Sequence, residues 1–139
     1  MARLLVMEDD ALQRAQMVEM LEEGGHDVVA CYTASEALMR ATQEPFDLIV
    51  TDIIVKLDGR ATPDGGISLI GYLRRMPMTS ATKRSVPILA VSGTFKNPGM
   101  ETILTTAVQV GATAQMQKPV RAGELLSKID ILLVRPAEE

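Results

Sequence analysis

The sequence of 139 residues has few aromatic residues and almost no cysteine: two phenylalanines, two tyrosines, no tryptophan and one cysteine, Cys31. A single cysteine excludes an internal disulfide framework and a metal site built from cysteines. We expect Cys31 to be a small buried residue, because free cysteines are among the most buried residue types. With so few aromatic side chains the core must be aliphatic, and the nine methionines are suited to filling its irregular gaps.

Long apolar runs and long basic runs are also absent. No apolar run reaches the about 18 residues that indicate a membrane-spanning helix, and the N-terminus lacks a signal-peptide pattern. We therefore expect a cytoplasmic protein with no membrane partner. The net charge is −4 and no basic run exceeds two residues, which argues against nucleic acid as the main partner.

Short apolar runs alternate with segments of helical periodicity. The predicted strands are 3–7, 27–31, 46–52, 86–91 and 113–117, and the predicted helices are 11–23, 33 or 35 to 43, 64 or 65 to 75, 100–110 and 122–134. Asp10 is the predicted N-cap of the first helix. The apolar stripe of that helix consists of Ala11, Ala15 and Val18, with Leu12 and Leu21 beside it. Five strands alternating with five helices predict an α/β fold of three layers, with a parallel sheet covered by helices on both faces.

Polar side chains stand at the ends of four of the five predicted strands. Glu8 and Asp9 follow the first strand, Asp52 ends the third, Ser92 follows the fourth and Lys118 follows the fifth. The carboxyl edge of a parallel sheet is where ligand sites form. We therefore expect these side chains to lie close together.

The chemistry of this residue set points to phosphoryl transfer. Carboxylates that converge repel one another unless a cation lies among them, and oxygen ligands without histidine or cysteine suit Mg²⁺. A lysine ammonium and a serine hydroxyl can hold anionic phosphoryl oxygens. An aspartate in such surroundings is a competent nucleophile toward phosphorus and would form an aspartyl-phosphate.

The motifs LLVMEDD, DLIVTD, PILAVSG and GATAQMQKP together resemble a response-regulator receiver domain, the phosphoacceptor module of two-component signalling. The resemblance covers about residues 3–133 and implies one receiver domain over 1–139. It also implies a (βα)5 doubly wound parallel sheet of the flavodoxin/CheY-like type, with strand order 2-1-3-4-5.

The resemblance assigns a role to each residue at the strand ends. Asp52 would be phosphorylated, Ser92 would be the switch hydroxyl, and Lys118 would precede a usually cis proline, Pro119. The implied Mg²⁺ ligands are Glu8, Asp9, Asp52 and the backbone carbonyl of Ile54.

The function that follows is a phosphoacceptor whose Mg²⁺-dependent phosphorylation switches partner binding. Such a domain is not an enzyme acting on a separate substrate, although it assists its own phosphorylation and dephosphorylation. The implied partners are a histidine kinase or a phosphotransfer protein. No output domain follows the fifth predicted helix, so we expect a stand-alone receiver. A homodimer could form through the fourth helix, the fifth strand and the fifth helix, where Ile131 and Val134 are expected to point away from the sheet.

The sequence departs from the receiver pattern in its loops and in its switch. About four residues are inserted after Asp52, within a polar connection over 56–63 that has Asp58-Gly59 as its turn signal. A second insertion falls at about 94–99. Either insertion is a tolerated surface loop, or it is a lid or a partner-specific contact. Gln115 occupies the position, three residues before the lysine, at which many receivers carry an aromatic residue that turns inward on activation. That movement of a ring is therefore absent here.

Three other classes can be set against the receiver interpretation. A flavodoxin-like electron carrier would need a phosphate-cradling loop and aromatics around the flavin, whereas the loop after the first strand is acidic. A phosphatase of the haloacid dehalogenase type would need a second aspartate where Ile54 stands. A degenerate receiver that binds partners without phosphorylation is the more serious alternative.

Overall fold

The computed structural model describes residues 2–53, 55–57, 60–62, 64–93 and 111–134, with the side chains of 55–57, 60–62 and 64 left aside. Within these ranges a central parallel sheet is formed by β1 (Arg3–Met7), β2 (Asp27–Cys31), β3 (Leu48–Asp52), β6 (Ile88–Ser92) and β7 (Ala114–Gln117). The strands lie in the order β2-β1-β3-β6-β7. This is the predicted order 2-1-3-4-5 once the two short strands that follow Asp52 are left out of the count.

Four described helices cover the sheet: α1 (Ala11–Glu23), α2 (Ala34–Gln43), α3 (Asp64–Leu73) and α4 (Ala122–Leu133). The predicted helix over 100–110 and the predicted insertion at 94–99 lie outside the described residues. None of the described helices has both the length and the apolar character needed to cross a membrane.

The strand side chains alternate between two aliphatic cores, as expected for a sheet buried on both faces. On β1, Leu5 and Met7 pack into one core with residues of α2 and α3. Leu4 and Val6 pack into the other core with residues of α1 and α4. Cys31 is fully buried, as predicted. The central strands β1, β3 and β6 are therefore largely apolar along their length, with Glu8, Asp52 and Ser92 at their carboxyl ends.

The prediction for the buried face of α1 was right for Leu21 but wrong for Ala11, Leu12 and Ala15, which are exposed. Met17 and Leu21 are the buried residues of this helix, whereas Leu12 is 68 % exposed. Asp10 is the N-cap, as predicted, and its side chain accepts a hydrogen bond from the backbone N–H of Gln13. The buried face of α1 therefore includes Met17 and not Leu12, and the predicted stripe did not contain this methionine.

The connection after Asp52 contains an antiparallel hairpin, β4 (Val55–Leu57) and β5 (Arg60–Thr62). Residues 58 and 59 join the two strands and lie outside the described residues. The sequence predicted a polar connection over 56–63 with Asp58-Gly59, a favoured two-residue hairpin connection, as its turn signal, but it did not predict these two short strands.

The fifth predicted helix is present as α4, and the two apolar residues expected to point away from the sheet are exposed. Leu125, Ile129 and Leu132 of α4 are buried, whereas Ile131 is 61 % and Val134 is 80 % exposed. Gln115 lies on β7 and is also exposed. The apolar pair at the end of α4 is therefore accessible on the described surface.

Candidate functional site

Strand register brings three acids to one edge of the sheet. Met7 pairs with Thr51 in the alignment of β1 and β3, so Glu8 and Asp52, one residue further along, reach the same level. Glu8 is 3 % and Asp52 is 6 % exposed, while Asp9 is half-buried. One carboxylate oxygen from each of the three residues lies within 4.8 Å of the others. The predicted convergence of the acids is present in the structure.

Lys118 reaches the same cluster from the end of β7. Its Nζ donates to Glu8 Oε1 at 2.7 Å and to Asp52 Oδ2 at 3.0 Å. The backbone N–H of Lys118 donates to the carbonyl of Ser92 at 2.6 Å, which ties the end of β7 to the end of β6. The Lys118–Pro119 peptide bond is cis, as the resemblance implied. The ammonium is thus held against two of the three acids.

Ser92 is the last residue of β6 and is fully buried. Asp52 pairs with Val91 in the register of β3 and β6, so Ser92 lies one residue beyond that level, on the neighbouring strand. Its hydroxyl is 3.4 Å from the carbonyl of Gly93, a long and weak hydrogen bond. Within the described part of the chain, the hydroxyl therefore has no strong acceptor. Ile54, the predicted source of a carbonyl ligand, lies outside the described residues.

Burial dominates the electrostatics of Glu8. It raises the pKa of this carboxyl from 4.5 to about 7, and the nearby charge of Asp52 acts in the same direction. Hydrogen bonds from Lys118 and from the backbone N–H of Asp10 oppose this shift without cancelling it. The folded state therefore favours the protonated form of Glu8. The stability that this preference contributes is fully present below the unfolded-state pKa and is lost as the pH rises through the folded-state pKa.

The pKa of Lys118 shifts upward. Burial acts to lower it, but the hydrogen bonds and charges of Glu8 and Asp52 outweigh burial. The lysine is therefore a permanent cation at neutral pH. It can hold an anionic group in the site without first acquiring a proton.

Gly66 of α3 is a part of the site that sequence reasoning missed. A Cβ added there would lie 2.0 Å from the carbonyl oxygen of Asp52 and 2.4 Å from Cα of Ile53. The first turn of α3 therefore rests directly on the backbone behind the Asp52 carboxylate. The signal in the sequence was the pair Gly65-Gly66 at the start of a helix, since glycine there lowers helix propensity and often marks a close approach.

A family comparison decides what kind of domain carries this cluster. The family described as the response regulator receiver domain matches residues 4–130. The chain belongs to this family. It is a signalling domain of two-component response regulators, a class whose members interact with histidine kinases or phosphotransfer proteins and bind Mg²⁺ in an acidic pocket. The flavodoxin-like and dehalogenase-type alternatives are thereby set aside.

Individual relatives agree with the family assignment. The chain is 33% identical over 135 residues to the two-component response regulator PhoP of Pseudomonas aeruginosa, covering 96% of this chain and 52% of PhoP. It is 30% identical over 142 residues to a probable transcriptional regulatory protein of Picosynechococcus, covering 96% of this chain and 50% of that protein. The receiver domain thus spans about half the length of these two curated relatives.

Solved structures show the same fold. The chemotaxis protein CheY4 of Vibrio cholerae has a TM-score of 0.76 at 23% identity, over 95% of this chain and 98% of that one. The receiver domain of the sensor histidine kinase PA1611 of Pseudomonas aeruginosa has a TM-score of 0.78 at 20% identity, over 96% and 98% of the two chains. That structure has a magnesium ion coordinated in its active-site cleft. At these identities the likeness establishes the CheY-like fold.

Proposed function

We propose that this receiver domain, residues 1–139, is a Mg²⁺-dependent phosphoacceptor in which Asp52 receives the phosphoryl group. The observation that carries the proposal is the meeting of three carboxylates within 4.8 Å, with the Lys118 ammonium bound to Glu8 and Asp52. These groups come from the ends of three strands, since Glu8 and Asp9 both follow β1, Asp52 ends β3 and Lys118 follows β7. Their convergence therefore depends on the packing of the sheet, as expected for a built site rather than a solvated acidic loop.

The donor set of the cluster supports a divalent cation. Among the described residues it combines three carboxylates with the ammonium of Lys118. Two of the carboxylates are almost fully buried, where an ionised group is costly unless opposite charge lies close to it. Oxygen donors alone suit Mg²⁺, and Glu8, Asp9, Asp52 and the carbonyl of Ile54 would hold it. Bound there, the cation would neutralise charge on the transferring phosphoryl group.

The protein's own residues have separate tasks in the transfer. A carboxylate oxygen of Asp52 attacks the phosphorus of the donor, the new P–O bond forms as the bond to the donor's leaving group breaks, and the electron pair departs with that group. Lys118, bonded to Asp52 before the reaction, transfers its hydrogen bond to a phosphoryl oxygen. The Ser92 hydroxyl donates to another of these oxygens, so that phosphorylation draws the end of β6 toward Asp52.

The donor and the consequence follow from the family. The phosphoryl group would come from a histidine kinase or a phosphotransfer protein, and the altered β6 end would change the affinity for an output partner. The same residues would assist hydrolysis of the aspartyl-phosphate, which makes the domain a self-regulating switch rather than an enzyme for a separate substrate.

Incubation with Mg²⁺ and acetyl phosphate tests this proposal by intact-mass spectrometry. We expect one phosphoryl group on the wild type, none on Asp52→Asn and none when Mg²⁺ is chelated. Asp130→Asn, which neutralises an exposed acid on α4, is the matched control and should be labelled like the wild type. A folded wild type that accepts no phosphoryl group would instead support the degenerate receiver, an interaction module that works without phosphorylation.

A further inference from the structure

Arg14 of α1 reaches back over the connection between β1 and α1. Its Nη1 donates to the backbone carbonyl of Glu8 at 2.9 Å and makes a longer contact of 3.5 Å with the carbonyl of Asp9. The guanidinium carbon also lies 5.4 Å from the ring centroid of Tyr32, the residue that follows β2. One side chain thus joins α1 to the ends of two strands.

The position of Arg14 is unfavourable for the helix by itself. It is the fourth residue of α1, and no acidic residue stands in the first turn of that helix. A cation near a helix N-terminus opposes the helix dipole, by about 0.3–1 kcal/mol at an exposed site. The contacts outside the helix must offset this cost, so the arginine is explained by what it touches and not by helix propensity.

What Arg14 touches is the backbone that aims the acidic pair. The two carbonyls belong to Glu8 and Asp9, whose carboxylates enter the cluster with Asp52. The Glu8 carboxylate has its own supports in Lys118 and the backbone N–H of Asp10. The carbonyls of Glu8 and Asp9 belong to the peptide units on either side of Asp9. Holding both units restricts the directions in which the Asp9 side chain can point.

We propose that Arg14, stacked on Tyr32, is a positioning residue of the cation site: it holds the Glu8–Asp9 backbone so that both carboxylates meet Asp52 at the spacing a divalent cation requires. This inference rests on the proposed function. Groups that orient metal ligands without touching the metal typically contribute about 10- to 100-fold to metal affinity.

Electrostatics alone predicts the opposite effect of removing Arg14. A positive charge near three carboxylates repels an incoming Mg²⁺, so deleting that charge would tighten binding if position were unimportant. A positioning role predicts weaker binding after the same change. The sign of the change in affinity therefore separates the two explanations.

The experiment measures Mg²⁺ binding directly, by calorimetric titration with MgCl₂ and no phosphodonor. We expect Arg14→Ala to weaken Mg²⁺ binding by about tenfold and Tyr32→Phe, which keeps the ring, to bind like the wild type. Arg75→Ala is the matched control, because Arg75 also stacks on a tyrosine, Tyr72, at 5.5 Å and donates to a backbone carbonyl, that of Gly71, at 3.1 Å. It should leave Mg²⁺ affinity unchanged.

Thermal unfolding with and without Mg²⁺ guards against a purely structural effect. A general loss of stability would lower the melting temperature of Arg14→Ala equally in both buffers, whereas a positioning role reduces the rise in melting temperature that Mg²⁺ produces. Unchanged or tighter Mg²⁺ binding by Arg14→Ala would overturn the inference. A wild type that fails to bind Mg²⁺ would instead refute the proposed function, so the two failures are distinguishable.

Discussion

The contact of α3 with the backbone of Asp52 makes Gly66→Ala a sharp perturbation of this domain. The added methyl carbon would lie 2.0 Å from the Asp52 carbonyl oxygen and 2.4 Å from Cα of Ile53. Ordinary contacts of this kind are about 3.5–4 Å. Because both obstructing atoms belong to backbone, no side-chain rotation can relieve the clash, and α3 must move away from β3 by more than 1 Å, as an order-of-magnitude estimate.

The stability change is the difference between two opposing effects. Overpacking of this kind costs about 1–3 kcal/mol, and a rigid backbone obstacle places Gly66→Ala at the upper end. Replacing glycine by alanine in a helix returns about 1 kcal/mol. We expect a net loss of about 2 kcal/mol, or roughly 6 °C in melting temperature for a domain of this size.

Gly123→Ala is the matched control for this change. Gly123 also lies in the first turn of a helix, α4, and a Cβ added there meets no atom within 4 Å. Alanine should therefore leave stability unchanged or raise it by up to about 1 kcal/mol. Thermal unfolding followed by circular dichroism compares the two variants with the wild type.

The displacement of α3 in Gly66→Ala should also slow the phosphorylation of Asp52. Well below its melting temperature, Gly66→Ala should be phosphorylated by acetyl phosphate at least about tenfold more slowly than the wild type, since misplacement by about 1 Å can cost 100-fold. If Gly66→Ala matches Gly123→Ala in both stability and phosphorylation rate, then α3 does not press on Asp52 and the reasoning fails.

Three further outcomes are expected. In Mg²⁺-free buffer, Glu8→Gln should become more stable than the wild type by up to about 3 kcal/mol as the pH rises from about 4.5 to about 7, because only the wild type must ionise a buried carboxyl. Urea unfolding gives the free energy of unfolding of both proteins, and a difference between them that does not change with pH would contradict this. Cys31, which is fully buried and whose thiol pKa burial raises to about 12, should resist a thiol reagent in the native state and react fully in denaturant; fast native labelling would disprove its burial. Ile131→Glu combined with Val134→Glu should leave Asp52 phosphorylation intact but weaken self-association or partner binding, with sedimentation of the phosphorylated protein as the measurement; equal masses and equal partner binding would show that this surface is only exposed helix.

Strand-end residues were predictable from the sequence because a parallel sheet imposes its own geometry. Once Glu8, Asp52 and Lys118 were each placed at the end of a predicted strand, the common direction of the strands required them to meet at one edge. The order of the strands came from the resemblance to receivers and not from periodicity. The carbonyl of Ile54 as a ligand remains a prediction.

Features that depend on packing between elements could not be predicted in the same way. The periodicity of α1 fits more than one buried face, and only contact with the sheet selects Met17 over Leu12. The hairpin after Asp52 has a turn signal, but its strands are short and their residues do not alternate clearly. The roles of Gly66 and Arg14 lie in contacts with backbone atoms of other elements, which no local pattern encodes.

The placement of Lys118 has a consequence for how the domain is made. Its partners Glu8 and Asp52 lie 110 and 66 residues earlier in the chain. Contacts of such long sequence separation form late, since a large loop must be closed before they can. During synthesis, the emerging chain carries its acids long before the lysine leaves the ribosome. On the proposed function, we therefore expect the domain to accept a phosphoryl group only once β7 has joined the sheet and Lys118 has reached the two acids.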